Sequence, residues 1–263
     1  MTPKIALIGG SGIYELKNLQ QAREEKLNTP FGEIIFYSGK WGGKDIIFLP
    51  RHGKDHKIPP NKINYRGNIY ALKFIGIERI LSTSATGSLN PQIKVGSFVI
   101  IDQFIDFTKD RPPALFTEGD VIHIDMSEPY CPELRNILIS VSDELRFSFY
   151  PKGTYICTEG PRFETPAEIK AFKVMGADLV GMTNVPEVVF AREAGICYAS
   201  VAIVTNMAAG IKGGNLTSTE VSQKMKEAAQ EITELFLNAI KEIPNKRGCV
   251  CGSVLKDSKM KPL

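Results

Sequence analysis

At 263 residues with 43% apolar side chains, the chain can bury a large core, as one α/β domain or as two small ones. Its formal charge of +3, from 32 basic and 29 acidic residues that are mostly interspersed, offers no basic face for nucleic acid. No apolar run approaches the roughly 20 residues that span a bilayer, and no basic stretch leading into an apolar one marks a secretion signal, so a cytoplasmic location is expected.

In chain order, residues 4–8 read as a buried strand that runs into Gly9-Gly10-Ser11-Gly12. Residues 34–37 and 46–49 flank G-K-W-G-G, a hairpin signal. An amphipathic helix over 61–75 stops at Gly76. Short apolar runs at 79–82, 98–101, 153–157, 179–182 and 196–204 read as further buried strands. Helices are expected at 132–146, after Thr165-Pro166-Ala167-Glu168 (a capping box with proline at the first helical position), and at 186–194. The longest helix is capped by Thr217-Ser218-Thr219-Glu220, and Val221, Met225, Ala228, Ile232, Leu235 and Ala239 repeat along one face. Strands alternate with helices, with no repeat and no linker, which predicts one α/β sandwich over residues 1–244 and a mobile tail over 245–263.

Five cysteines, Cys131, Cys157, Cys197, Cys249 and Cys251, form no secreted disulfide framework and lack zinc-site spacing. The first three read as buried thiols, and a Cys131–Cys197 disulfide would suit a hyperthermophilic source. Cys249-Val250-Cys251 reads either as a strained, reducible disulfide or as two free thiols, with no partner cluster nearby for a metal.

Three segments suit an anion. The glycine turn fails as a dinucleotide fingerprint because Glu15 stands where the last glycine belongs, which makes a dehydrogenase the weakest option. As a nest of backbone N–H groups with the Ser11 hydroxyl it can hold one phosphate. Arg51 follows the strand at 46–49 with a planar fork for phosphate oxygens, and His52 can donate beside it. Ser84-Ala85-Thr86-Gly87-Ser88 reads as a polar loop after the strand at 79–82. Each alone is as well explained by an ordinary turn; three together, each after its own strand, predict a phosphate site at the carboxyl edge of an open sheet.

C-T-E-G-P-R-F-E-T at 157–165, G-M-T-N-V-P-E at 181–187 and V-T-N at 204–206 bring an aromatic ring, a carboxylate, a hydroxyl and an amide to successive strand ends. These groups suit a flat heterocycle: a surface to stack on, an acceptor for N–H and a donor for a carbonyl or ring nitrogen. Competing readings are a core ring for Phe163, a first-turn helix carboxylate for Glu164 and a structural hydrogen bond for Asn206.

The motifs E-G-P-R-F-E-T, G-M-T-x-V-P-E and T-N, in that order, resemble the trimeric purine nucleoside phosphorylase and methylthioadenosine phosphorylase family, over nearly the whole chain from Gly9 to about Ile243. The resemblance implies the nucleoside phosphorylase fold, a single-domain three-layer α/β sandwich whose mixed, twisted sheet is flanked by helices. It assigns phosphate binding to Ser11, Arg51, His52, Ser84, Ala85 and Thr183, and stacking on the purine to Phe163. Met182 then lies under the ribose, and His56 near its 5′ side. His123 is contributed by a neighbouring subunit, which implies a homotrimer or a dimer of trimers.

Glu164, Asn206 and Ala208 set the base preference. A carboxylate accepts from the N1–H that 6-oxopurines carry and adenine lacks. The adenine-type members have a small hydroxyl residue in place of Glu164 and aspartates in place of Asn206 and Ala208. Methylthio-type members place apolar residues at the start of the last helix; Ser218, Thr219 and Ser222 here lean toward a 5′-hydroxyl. The expected activity is phosphorolysis of inosine and guanosine to free base and ribose 1-phosphate. Asn206, Glu164 and His52 are the catalytic groups, phosphate is a co-substrate, and no metal or other cofactor takes part. The alternatives are a 5′-methylthioinosine or 5′-methylthioadenosine phosphorylase, and a purine nucleoside-binding protein without catalysis.

Overall fold

The computed structural model describes residues 4–9, 19–116, 122–211, 217–255 and 258. The first strand, β1 (Ile5–Gly9), is buried along its whole length. It sends Ala6 and Ile8 into one core cluster and Ile5 and Leu7 into another, so both faces of the sheet are covered. The sequence continues through β2 (Gln20–Thr29), β3 (Gly32–Trp41), β4 (Lys44–Pro50), α1 (Tyr65–Phe74) and β5 (Arg79–Ser88). Then come β6 (Phe98–Ile100), β7 (Gln103–Phe107), α2 (Pro132–Glu144), β8 (Phe149–Tyr150), β9 (Thr154–Thr158) and α3 (Pro166–Val174). The last elements are β10 (Leu179–Gly181), α4 (Glu187–Glu193), β11 (Cys197–Met207) and α5 (Ser218–Glu242).

The sheet order is β2-β3-β4-β1-β5-β10-β9-β7, with β11 paired to β5 and β6, and β8 paired to β6. β5 is the hub: it runs parallel to β1 and β11, and its far end runs antiparallel to β10. The sheet is therefore mixed, and α1 and α4 cover one face while α2 and α5 cover the other. This is the three-layer α/β sandwich expected above.

Local signals explain most boundaries. The hairpin turns on Gly42 and Gly43, with φ of 57° and 81°, a two-residue turn that only glycine adopts cheaply at both positions. The capping box of α3 is formed in both directions between Thr165 and Glu168. α1 starts at Tyr65, later than the expected 61, because a 3₁₀ turn at Pro60–Lys62 precedes it and Asn64 caps the helix by accepting from the Gly67 N–H.

Three features depart from the sequence reading. β2 carries Arg23, Glu24, Glu25 and Lys26 on an exposed sheet edge, so it shows no apolar alternation. Ser84–Ser88 is not a loop after a short strand: β5 continues through Ser88, and its backbone is engaged by β11 and β10. The chain after α5, read as a tail, returns to the core, where Cys251 is buried. Cys249 and Cys251 accordingly do have a partner cluster: the sulfurs of Cys131, Cys197, Cys249 and Cys251 all lie within 4.8 Å of one another. Spacing could not show this, because Cys131 sits at the cap of α2 and Cys197 at the start of β11.

Candidate active site

β4, β5, β9, β10 and β11 end beside one another, and one cleft opens at those ends. Arg51, His52, Ser84, Ala85 and Thr183 line one part of it; Phe163, Glu164, Met182, Asn206 and Ala208 line another. Ten of the expected site residues thus share a single crevice. Ser11 and the glycine turn from Gly10 lie outside the described residues; Gly9, which precedes them, accepts from the Arg51 backbone N–H at 3.1 Å.

Where an anion is expected, hydroxyls from β5, β9 and the chain after β10 meet. Ser84 Oγ lies 3.1 Å from Thr183 Oγ1 and 3.2 Å from the Tyr155 hydroxyl, which also accepts from the Thr183 N–H at 3.2 Å. Tyr155 is fully buried and joins β9 to β5 and to the chain after β10. It can stand there because Gly181 has no side chain: a Cβ at 181 would lie 2.2 Å from the Tyr155 hydroxyl. Gly181→Ala is expected to push Tyr155 off Ser84 and Thr183 and to raise the KM for phosphate about tenfold, with overpacking that costs about 1–3 kcal/mol. Phosphate saturation curves and a melting curve of the variant check this.

Arg51 departs from expectation in its geometry. Its fork is turned to Glu187, with Nε donating to Oε2 at 2.7 Å and Nη2 to Oε1 at 2.6 Å. Nη2 also donates to Ser82 Oγ and Nη1 to the Thr83 carbonyl. Four of the five guanidinium N–H groups are thereby used, which leaves one on Nη1 for the cleft. Burial opposes charge on Arg51, but the Glu187 carboxylate more than offsets it and holds the group above its ordinary value.

His52 is corrected in the same way. Its Nδ1 lies 2.8 Å from the Ile58 carbonyl, which can only accept, so Nδ1 carries the proton. Burial and then the neighbouring Arg51 lower the ring to about 4, so it is neutral near pH 7 and Nε2 is an acceptor, not the donor expected from sequence. His56, at φ 54°, has its ring centroid 4.4 Å from that of His52 and tilted by 46°, without lining the cleft.

At the base end, Phe163 is 38% exposed, which leaves a face open to stack on. Glu164 is buried, and its Oε1 accepts from Thr158 Oγ1 at 2.7 Å. It precedes the cap of α3, whose first-turn acid is Glu168, so the reading of Glu164 as a first-turn helix carboxylate is removed. Burial raises the Glu164 pKa, with the Thr158 hydrogen bond pulling the other way. Asn206 sits just past a bulge in β11. Its Oδ1 accepts from Thr205 Oγ1 at 2.8 Å, and its Nδ2 donates to the Met207 carbonyl at 3.0 Å. The amide is thus fixed in orientation, with its second N–H left over.

Two expectations fall outside this cleft. His123 is exposed, and its backbone N–H donates to the Ser258 carbonyl. Ser218, Thr219 and Ser222 are exposed and absent from the lining; the residue that α5 presents there is Val221.

A family model described as Phosphorylase superfamily matches residues 4–241. The chain belongs to the phosphorylase superfamily. Among curated superfamily members it is 51% identical to a 6-oxopurine nucleoside phosphorylase of Pyrococcus furiosus, over 97% of this chain and 98% of that one. It is 48% identical to a probable S-methyl-5′-thioinosine phosphorylase of Methanocaldococcus jannaschii, over 96% and 98%. A solved superfamily structure, a methylthioadenosine phosphorylase from an antarctic soil metagenomic library, superposes with a TM-score of 0.92 at 37% identity, covering 100% of this chain and 94% of that one.

Sequence reasoning passed over three residues that support the lining of this cleft. Glu187 stands in a quoted motif, yet its partner Arg51 is 136 residues away. Tyr155 reads as one more apolar strand residue. Arg111 donates to the carbonyls of Thr158, Glu159, Met182 and Val185 and so clamps the two loops that carry the base-side motifs. No local pattern marks a lone arginine in a loop for that task.

Proposed function

We propose that the chain is a 6-oxopurine nucleoside phosphorylase, which releases hypoxanthine or guanine from a ribonucleoside and transfers ribose to phosphate. The observation that carries this reading is the pair Glu164 and Asn206, an acceptor and an oriented amide donor on one cleft with the hydroxyls of Ser84 and Thr183. Phosphate on those hydroxyls, the spare Arg51 N–H and the Ala85 segment faces C1′ of the sugar and stabilises the oxocarbenium-like state as the glycosidic bond breaks. Neutral His52 Nε2 accepts from a phosphate hydroxyl. Phe163 stacks on the base and Met182 lies under the ribose. Asn206 donates to N7 or O6 as the base becomes anionic, and Glu164 accepts from N1–H. Chemistry of this kind needs positioning and hydrogen bonds and calls for no cofactor. The proposal includes a cytoplasmic homotrimer or dimer of trimers, in which His123 and His56 approach the 5′ side of a sugar, His123 from the neighbouring subunit.

Val221 favours a second reading within the same base class. An apolar residue at the 5′ end suits a methylthio group, so 5′-methylthioinosine is the competing substrate. Turnover of inosine, guanosine, adenosine and their 5′-methylthio counterparts, with and without phosphate, is the test. Release of base from both 6-oxo nucleosides only when phosphate is present is expected. Preference for adenosine, or binding without release, overturns the proposal.

Glu164 gives a pH signature. N1–H recognition is strongest with the carboxylate, and burial raises its pKa, so the protonated form, a weaker acceptor, gains ground at a higher pH than for an ordinary glutamate. kcat/KM for inosine is expected to fall as pH drops through that raised value. Glu164→Gln is expected to lose about 10²–10⁴-fold in kcat/KM and to lack that acid limb. pH–rate profiles of both proteins check this.

A further inference from the structure

The four-cysteine cluster lies far from the cleft. Cys197 begins β11 and Asn206 lies near its other end, about 30 Å away at the rise of an extended strand. Cys131, Cys197 and Cys251 are buried and Cys249 is half-buried, and the four sulfurs converge from three separate parts of the chain. The sulfurs of Cys197 and Cys249 are 3.3 Å apart, and no pair exceeds 4.8 Å. A tetrahedral tetrathiolate with metal–sulfur bonds of about 2.3 Å has sulfur–sulfur edges of about 3.8 Å, inside that range.

The surroundings suit negative charge. Cys131 is the N-cap of α2 with no side-chain cap bond, so its sulfur lies at the positive end of that helix. Arg192, itself buried, places Nη1 3.8 Å from Cys251 Sγ. Arg79 is the register partner of Cys197 on β5 and is only 1% exposed. Its Nη1 lies 3.4 Å from Glu78 and its Nε 3.8 Å from Glu133, so its charge is met by those two carboxylates. The buried guanidinium at Cys251 and the helix N-terminus at Cys131 offset part of the charge of a doubly negative centre.

We infer that Cys131, Cys197, Cys249 and Cys251 form a closed structural zinc site that fastens the segment after α5 to α2 and β11. Four thiol protons pass to solvent as four zinc–sulfur bonds form, and nothing is oxidised. An all-sulfur, four-ligand shell leaves no open position for substrate and suits zinc above oxygen-seeking cations.

The full chain is purified without oxygen or chelator and analysed for metal, then stripped and reloaded with Co²⁺. One zinc per chain is expected, together with the visible d–d and sulfur-to-cobalt bands of a tetrahedral tetrathiolate. Cys251→Ser is expected to retain zinc at least tenfold less well, to melt earlier, and to keep inosine turnover at moderate temperature. Should that variant fail to fold, the Co²⁺ spectrum of the unaltered chain decides. Less than a tenth of an equivalent of zinc with four titratable thiols, or two disulfides within the cluster by mass under non-reducing conditions, overturns the site.

Discussion

Replacing Asn206 by aspartate is expected to reduce kcat/KM for inosine by about 10²–10³-fold, as the loss of one donor aimed at developing negative charge does elsewhere. The hydrogen bonds of the side chain say why so small a change costs so much. One oxygen of the new carboxylate keeps the bond from Thr205. The other replaces an N–H that donates to the Met207 carbonyl, so two acceptors face each other across the 3.0 Å contact. The same oxygen then meets N7 or O6 of a base that is gaining electrons. The leaving group loses its donor and gains a repulsion, and both effects peak in the transition state. On the proposed reading phosphate is held by the hydroxyls of Ser84 and Thr183, neither of which bonds to the Asn206 side chain, so its KM should stay within about twofold of the parent. A carboxylate can receive N7–H from a protonated adenine, so the ratio of adenosine to inosine turnover should rise. Steady-state kinetics in both substrates decides: inosine turnover within tenfold of the parent, or an equal loss of phosphate affinity, contradicts the role given to Asn206.

The parts of the molecule that were legible are those where local chemistry and tertiary structure agree. β11 is apolar at every position from Cys197 to Val204 except Ser200, because both of its faces are covered, and that run identifies it without knowledge of its neighbours. The cap of α3 is written in four consecutive residues. The expected cleft residues, Ser84 and Ala85 apart, each lie near or just past a strand end. Where the two levels disagree, the sequence misleads. Ser84 and Thr86 are strand residues with polar side chains where β5 walls the cleft, and small polar residues in sequence look like a turn. β2 is charged because it is an edge. The bonds of Arg51 reach residues 31 to 136 positions away and the Cys197–Cys249 contact spans 52, and no local window of sequence contains both partners.

Glu187→Gln should be the most destabilising conservative change in the cleft. Arg51 and Glu187 have side chains 1% and 0% exposed, so neither charge has water to fall back on. The carboxylate takes two bonds from Arg51, one from Ser82 Oγ at 3.2 Å and one from the Tyr198 hydroxyl at 2.8 Å. An amide retains one oxygen but turns an NH₂ toward groups that are themselves donors, and it removes the carboxylate bonded to the guanidinium. Loss of one partner of a buried pair costs about 3–5 kcal/mol, most of it the penalty of an uncompensated charge. At about 2–4 °C per kcal/mol for a chain near this size, the melting temperature should fall by roughly 6–20 °C. Phosphate should act differently on the two proteins. In the parent, Glu187 already neutralises Arg51, so phosphate meets a site of little net charge and is held by neutral donors. In the variant, the anion is the counter-charge that Arg51 lacks, and its binding to the folded state alone should restore stability. The gain in melting temperature on adding phosphate is therefore expected to be larger for Glu187→Gln than for the parent. A melting temperature within about 2 °C of the parent, less than 1 kcal/mol on that scale, would show that the buried pair is not what holds Arg51. An equal phosphate gain in both proteins would show that Arg51 does not face the anion.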